Sequence, residues 1–226
     1  LLIGLMSGTS MDGVDAALLE TDGEFKLQRR GNIGLRYPVV LKQRLKQAEA
    51  LLTQITDARI AAQLELNEAE IIAAGQQQWP ELASVLQASN DWHREAVISL
   101  LAQADLSAQD LDFIGYHGQT FCHRPAQGFT MQLGDAQALA HYFQAPVANQ
   151  FRQRDLEEGG QGAPLAPLYH QALMVAEGYD SGVMINCGGI ANLSVIQGPN
   201  LKDILSGFDS GPGNILIDQF VQKMTA

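Results

Sequence analysis

The sequence lacks most of the features that announce a function at sight. Its two cysteines, Cys122 and Cys187, lie far apart and outside any CxxC spacing, so neither a disulfide framework nor a zinc site is encoded, and this usage fits a reducing cytoplasm. Basic residues are scarce. The 14 Lys and Arg stand against 25 Asp and Glu, for a formal net charge of -11, and no basic stripe exists to neutralise a nucleic-acid backbone. No run approaches the ~18 consecutive apolar residues of a membrane span, and the first residues carry neither a basic region nor a cleavage site. Nucleic acid and membrane are therefore not expected as partners. A Walker phosphate loop is missing, because no glycine-rich segment ends in Lys-Ser or Lys-Thr. Gly211-Pro212-Gly213 has Leu216 where a dinucleotide fingerprint needs its third glycine, and Gly207 stands one residue too far from Ser210 for a serine-hydrolase elbow. His117, Cys122 and His123 share no helical face and bring no carboxylate, which argues against a metal there.

What is present is an ordinary folded chain of 226 residues, 46% hydrophobic, with a mean hydropathy of -0.05. That length buries roughly 70–75% of its unfolded surface and accommodates one large domain, or one complete domain and part of another. Residues 2–7 and 14–19 are apolar runs flanking Gly8-Thr9-Ser10-Met11-Asp12-Gly13, the pattern of a hairpin with a hydroxyl-rich tip. Residues 25–37 predict one or two further strands. After Pro38, Leu41, Leu45, Ala48 and Leu52 recur at helical spacing, as do Ile60, Leu64, Ile71 and Ala74, then Val85, Trp92, Val97 and Leu101. Trp79 and Trp92 read as packing residues of this helical scaffold. Ser107 with Asp110 forms a capping pattern ahead of a short buried strand over 111–116 that ends in His117-Gly118-Gln119-Thr120. A hairpin-like piece over 129–133 follows, Asp135 caps a helix to about Phe143, and 146–149 reads as a short strand.

Arg152, Arg154, Asp155, Glu157 and Glu158 precede Gly159, Gly160, Gly162, Pro164 and Pro167, and this segment reads as a loop bearing chemistry before a helix over about 165–176. Residues 182–187 and 190–196 flank Gly188-Gly189 in a second strand, glycine tip, strand unit. Residues 208–214 then join a strand to a helix still running at Ala226 without a stop signal. The first domain is expected over 1–179 and the second over 180–226, begun and not finished. The missing initiator Met and the apolar opening lead us to expect a residue or two upstream.

The tip at 8–13 offers backbone N–H groups suited to phosphate, together with the carboxylates of Asp12 and Asp15, which would repel bare phosphate and are complemented by magnesium. The second glycine tip can close from across a cleft, and the GPGN helix start at 211–214 favours negative charge. Taken residue by residue, Asp155 is a carboxylate beside two arginines that could orient it as a base, with Glu157 and Glu158 as rivals; Asp135 is equally a helix cap.

The segment 4–15, GLMSGTSMDGVD, resembles the opening motif of the anhydro-N-acetylmuramic acid kinases, a branch of the sugar kinase, heat-shock protein 70 and actin superfamily. In the same order, Gly118-Gln119-Thr120 with His123-Arg124-Pro125, Leu133-Gly134-Asp135, Phe151-Arg152 with Gly159-Gly160-Gln161-Gly162-Ala163-Pro164, Asn186 with Gly188-Gly189-Ile190-Ala191-Asn192-Leu193, and Phe208-Asp209 with Gly211-Pro212-Gly213-Asn214 resemble that family too. The segment 37–110 matches it in helical character alone, and Leu156-Glu157-Glu158 is more acidic than the family pattern. The resemblance implies an α/β, actin-like ATPase (ribonuclease H-like) fold of two domains, mixed sheets flanked by helices, with ATP and magnesium in the cleft and the second domain incomplete in this chain. It places Gly8, Thr9, Ser10, Met11, Asp12, Gly13, Val14 and Asp15 in a first phosphate loop, Gly188 and Gly189 in a second, and Asp209, Gly211, Gly213 and Asn214 at the nucleotide. By the same resemblance Asp155 is the catalytic base; from the residues themselves, Gln119 and Asp135 read as sugar contacts, Arg152 as a partner for an anionic substrate group or for Asp155, and Asp12 as a magnesium ligand. The implied reaction opens a 1,6-anhydro sugar with water while the freed 6-oxygen takes the γ-phosphoryl group, in a cytoplasmic homodimer that recycles cell-wall amino sugar. A levoglucosan-type kinase and a nucleotide-binding module without catalysis are the alternatives.

Overall fold

The computed structural model describes residues 1–23, 26–198 and 204–225; Phe25, where a strand is expected to begin, and Ala226 lie outside the described residues. The chain divides into two compact units, Leu1–Thr21 with Gln28–Gly160, and Asp22–Leu27 with Gln161–Ala226.

In the first unit, strand β1 (Leu2–Ser7) pairs antiparallel with β2 (Gly13–Thr21), as the hairpin reading expects, with Met6 opposite Asp15 next to the tip. Alternation does the rest: Ile3, Leu5 and Ser7 on β1 and Val14, Ala16 and Leu18 on β2 are buried. Strand β3 (Leu27–Arg36) lies beside β2, and β4 (Phe113–Arg124) runs parallel to β1 on its other side. Strand β5 (Phe129–Leu133) returns antiparallel along β4, giving the order β3-β2-β1-β4-β5, with the short β6 (Val147–Ala148) also parallel to β4. A parallel β1/β4 pair needs a long crossover, and helices α1 (Val39–Ala61), α2 (Glu68–Gln78) and α3 (Leu82–Gln103) supply it.

Leu41, Leu45, Ala48, Leu52 and Ile55 form the buried stripe of α1, which packs on β4, while Leu82, Val85, Ala96, Val97 and Leu100 turn α3 inward onto β2. Each such Leu or Ile contributes roughly 1.5–3 kcal/mol by leaving water. Both tryptophans are packing residues as expected: Trp79 and Trp92 are partly buried against the core, and the Trp92 ring meets Tyr37 edge-on at 6.2 Å. The helical period is interrupted where the sequence reading runs it through Ile60 and Leu64. Helix α1 stops at Ala61, Gln63 takes a left-handed φ of 56°, Leu64 is exposed, and Asn67 restarts the chain as α2 by accepting from the Glu70 N–H at 3.1 Å. Strand β4 also outruns its expected end at Tyr116, because β5 pairs with its second half through a register shift between Thr120 and Cys122. Helix α4 (Ala136–Phe143) starts where Asp135 was expected to cap it.

The second unit holds an antiparallel sheet of β7 (Ser181–Cys187), β8 (Ile190–Gln197) and β9 (Ile204–Pro212). Helix α6 (Pro167–Ala176) packs on β8 and β9, and α7 (Ile215–Thr225) follows β9 after Gly213-Asn214 alone. Residues 208–212 are thus strand rather than connecting loop, because each pairs with β8 or directly follows such a pair. The architecture is α/β, with a mixed sheet flanked by helices in the first unit.

Candidate functional site

The hairpin tip is built from inside outward. Met11 has a left-handed φ of 53° and a side chain wholly buried in the core, while its N–H donates to the Gly8 carbonyl at 3.1 Å. Gly13 has no room for a Cβ, which would collide with the Leu35 carbonyl. Thr9, Ser10 and Asp12 are exposed; Val14 is buried, and Asp15 stands in β2 rather than in the tip, exposed on its outer face. The Asp12 carboxylate is ion-paired with Lys42 on α1, and this bond, with help from Ser10, holds it below the usual carboxylate range. Beneath the tip lies a buried polar cluster. Ser7 Oγ lies 2.5 Å from Gln119 Oε1, 3.0 Å from the Gly13 carbonyl and 3.2 Å from the Tyr37 hydroxyl, which is 3.4 Å from Ser89 Oγ. Gln119 Nε2 donates to the Gly8 carbonyl at 3.1 Å.

Two residues back along β4, His117 faces a different partner. Its Nδ1–H donates to the Gly118 carbonyl at 2.9 Å, which leaves Nε2 to accept from Arg152 Nε–H at 2.9 Å. Burial, and then the Arg152 charge, hold this imidazole neutral by pulling its pKa down against the opposing pull of the backbone hydrogen bond. Arg152 stands on helix α5 (Phe151–Glu157), and so does Asp155. The charged stretch is therefore helical, where the sequence reading has a loop. Helix α5 ends at Gly159 and Gly160, and the Gly160 N–H donates to the Asp155 carbonyl at 2.8 Å. The Asp155 carboxylate packs on the Gly160 Cα so closely that a Cβ there would collide with it. Of the rivals, Glu157 and Glu158 are exposed and pair with Arg154.

Asp135 caps α4, accepting from the Ala138 N–H at 2.8 Å, and its own N–H donates to Asn90 Oδ1 at 3.2 Å. It also lines a cavity of about 380 Å³ with Asn90, Phe121 and Asn149, whose lining holds no Lys, Arg or His. Gln119 and Arg152 are not among the lining residues, so the three expected sugar contacts do not share this cavity.

In the second unit the structure brings the second glycine tip and the GPGN turn together. The N–H groups of Gly213 and Asn214 donate to the Gly189 and Gly188 carbonyls at 2.8 and 2.9 Å, Asn214 Nδ2 reaches the Cys187 carbonyl at 3.4 Å, and a Cβ on Gly213 would strike the Gly188 carbonyl. Gly211 has φ 142°, and Asp209 is exposed on β9 opposite Asn192. No group of three or more His, Cys, Asp or Glu side chains poised to hold a metal occurs among the described residues. No helix among them is long and apolar enough to cross a membrane.

Comparison with known proteins bears on these same segments. The family model described as anhydro-N-acetylmuramic acid kinase matches residues 1–226. The chain belongs to the anhydro-N-acetylmuramic acid kinase family. Proteins of that name from Methylobacterium nodulans, Rhodopseudomonas palustris and Rhizobium etli are 42%, 43% and 39% identical to it, over 98%, 97% and 99% of this chain and 57%, 54% and 55% of their own. The chain spans about half the length of the curated relatives it matches. YeaZ from Pseudomonas aeruginosa overlaps 94% of the chain and 67% of its own at 12% identity and a TM-score of 0.34.

Within this family chain, four residues of the site escape sequence reasoning: Ser7, Tyr37, Lys42 and Ser89. Ser7 stands in the opening motif and could have been flagged there. Tyr37 and Lys42 meet the tip from thirty residues away, and nothing in their local sequence marks them.

Proposed function

We propose that the protein is an ATP-dependent kinase of 1,6-anhydro-N-acetylmuramic acid, releasing N-acetylmuramic acid 6-phosphate for cell-wall recycling. Water loses a proton to the Asp155 carboxylate as its oxygen bonds to the anomeric carbon. The bond from that carbon to O6 breaks, O6 takes the γ-phosphoryl group, and ADP leaves. The observation that carries this reading is the double use of β4: Gln119 holds the 8–13 tip and His117, through Arg152, holds the helix bearing Asp155. One strand thereby fixes a phosphate-loop candidate and a base candidate, and phosphoryl transfer is mostly positioning.

On this reading Gly8, Thr9, Ser10, Asp12 and Gly13 meet the nucleotide phosphates, with Met11 and Val14 anchoring the loop, and Gly188, Gly189, Asp209, Gly211, Gly213 and Asn214 contribute from the second unit. Asp135 and Arg152 serve the sugar. Magnesium fits Asp12, an exposed carboxylate held ionised by Lys42, since this ion at nucleotide sites takes one or two carboxylates beside phosphate and water. The actin-like fold, the division into domains at 1–179 and 180–226, the homodimer and the cytoplasmic setting rest on the family resemblance.

The test is phosphate transfer by the natural full-length protein from ATP and magnesium to the anhydro-muramic sugar, with levoglucosan in parallel. The product gains one water and one phosphoryl group in mass. Replacing Asp155→Asn is expected to lower kcat by about 10²–10⁴-fold while ATP still binds. Transfer to levoglucosan alone moves the substrate, and no transfer at all leaves a binding module.

A further inference from the structure

We propose that Gln119, with Ser7 and Tyr37, is a positioning residue for the phosphate loop and not a sugar contact. This inference rests on the kinase reading above and reassigns one residue within it. Gln119 is wholly buried, and both of its amide N–H donors are committed, to the Gly8 carbonyl at 3.1 Å and the Thr120 carbonyl at 3.3 Å, while its Oε1 faces Ser7 Oγ at 2.5 Å. A side chain so engaged presents no hydrogen-bonding group to a ligand.

What it does instead follows from the planarity of the peptide. The Gly8 carbonyl and the Thr9 N–H belong to one trans peptide unit and point in opposite directions. Drawing the Gly8 oxygen inward onto buried Gln119 turns the Thr9 N–H outward, at an exposed residue whose N–H donates to no carbonyl among the described residues. Met11 reinforces that orientation by donating to the same oxygen. Tyr37 grips the loop at both ends: its backbone N–H donates to the Asp12 carbonyl at 3.0 Å and its hydroxyl sits 3.2 Å from Ser7 Oγ. The loop thus presents the Thr9 N–H outward before any anion arrives, as phosphate-binding turns require.

Replacing Gln119→Glu keeps the shape and sets a carboxylate oxygen against the Gly8 carbonyl, which drives that peptide to rotate and the Thr9 N–H to turn away. In the natural full-length protein the KM for ATP, and the Kd for ATP measured without sugar, are expected to rise about tenfold or more, with the KM for the anhydro-sugar within twofold of wild type. The Tyr37→Phe variant, which loses one hydroxyl and keeps the backbone clamp, is expected to move the same two quantities about threefold and serves if Gln119→Glu fails to fold. A rise confined to the sugar KM, an equal rise in both KM values, or no change overturns the proposal. A wild-type protein that transfers no phosphate but shows the same loss of ATP binding in the variant refutes the kinase reading and leaves this one standing.

Discussion

On the proposed kinase reading, the contact between Asp155 and Gly160 makes a demand on the chemistry that a single methyl group can test. Gly160 is exposed and does not occupy the left-handed region, so alanine is acceptable to the backbone there. The atoms that a Cβ would meet first are those of the Asp155 carboxylate. The carboxylate must therefore swing aside, and relief of that overlap moves it by about an ångström, a displacement that at a catalytic group lowers rate by about 10²-fold. Stability should change by no more than about 1 kcal/mol, since the site is at the surface and alanine restricts the unfolded chain. Gly160→Ala is thus expected to reduce kcat about a hundredfold, with a melting temperature within about 4 °C of wild type and unchanged ATP affinity. Its neighbour provides the opposite pattern. Gly159 has φ 86° with nothing within 4 Å of a new Cβ, so Gly159→Ala strains the backbone by roughly 1–2 kcal/mol. That variant should melt earlier and keep kcat within about threefold. Steady-state kinetics and thermal melts on the two proteins decide the matter: a Gly160→Ala enzyme with kcat within threefold of wild type would refute the assignment of Asp155 as base.

Two further predictions concern charge. His93 is buried in α3 with Nδ1 2.8 Å from the Ser89 carbonyl and Nε2 without a partner among the described residues, and burial pulls its pKa from 6.5 down to about 4. The unfolded chain takes up this proton near pH 6.5 and the folded chain only near 4, so stability is lost as the pH is lowered through that window, by up to about 3 kcal/mol from this group. Urea titrations of His93→Phe at pH 7 and pH 4.5 should show that slope flattened, and an unaltered slope would remove His93 as its cause. Lys42→Met takes away the main reason for the low pKa of Asp12. The Asp12 carboxyl should then titrate higher by carbon NMR, while stability above pH 4 drops by less than about 1 kcal/mol, the range of exposed ion pairs. The loss should vanish as acid protonates Asp12, because a depressed carboxylate pKa stabilises only where the group is ionised.

Much of this site was legible where the chemistry is local. Asp135 as a cap, Ser107 with Asp110, whose carboxylate accepts from both the Ser107 N–H and its hydroxyl at 2.8 Å, and the glycine-bounded hairpin each involve partners within a few residues. Helix α5 was not legible, because it has seven residues, a single buried side chain in Leu156, and a start at Gln150 in the left-handed region with no side-chain cap. Charge and nearby glycines outweigh so short a period in any reading of sequence alone. The Ser7, Gln119 and Tyr37 cluster was invisible for a different reason: its partners are 30 and 112 residues apart, and the crossover through α1 to α3 brings them together.

Met11 ties the exposed tip to the interior in a way that restricts how this loop can change. Most surface loops vary freely because their side chains look outward, but here the residue at the tip is as buried as any in the core. Substitution at position 11 therefore cannot alter ligand affinity alone; it shifts the melting temperature at the same time. Thr9, Ser10 and Asp12 are the side chains of this tip that the core does not hold, so changes there act on the surface alone.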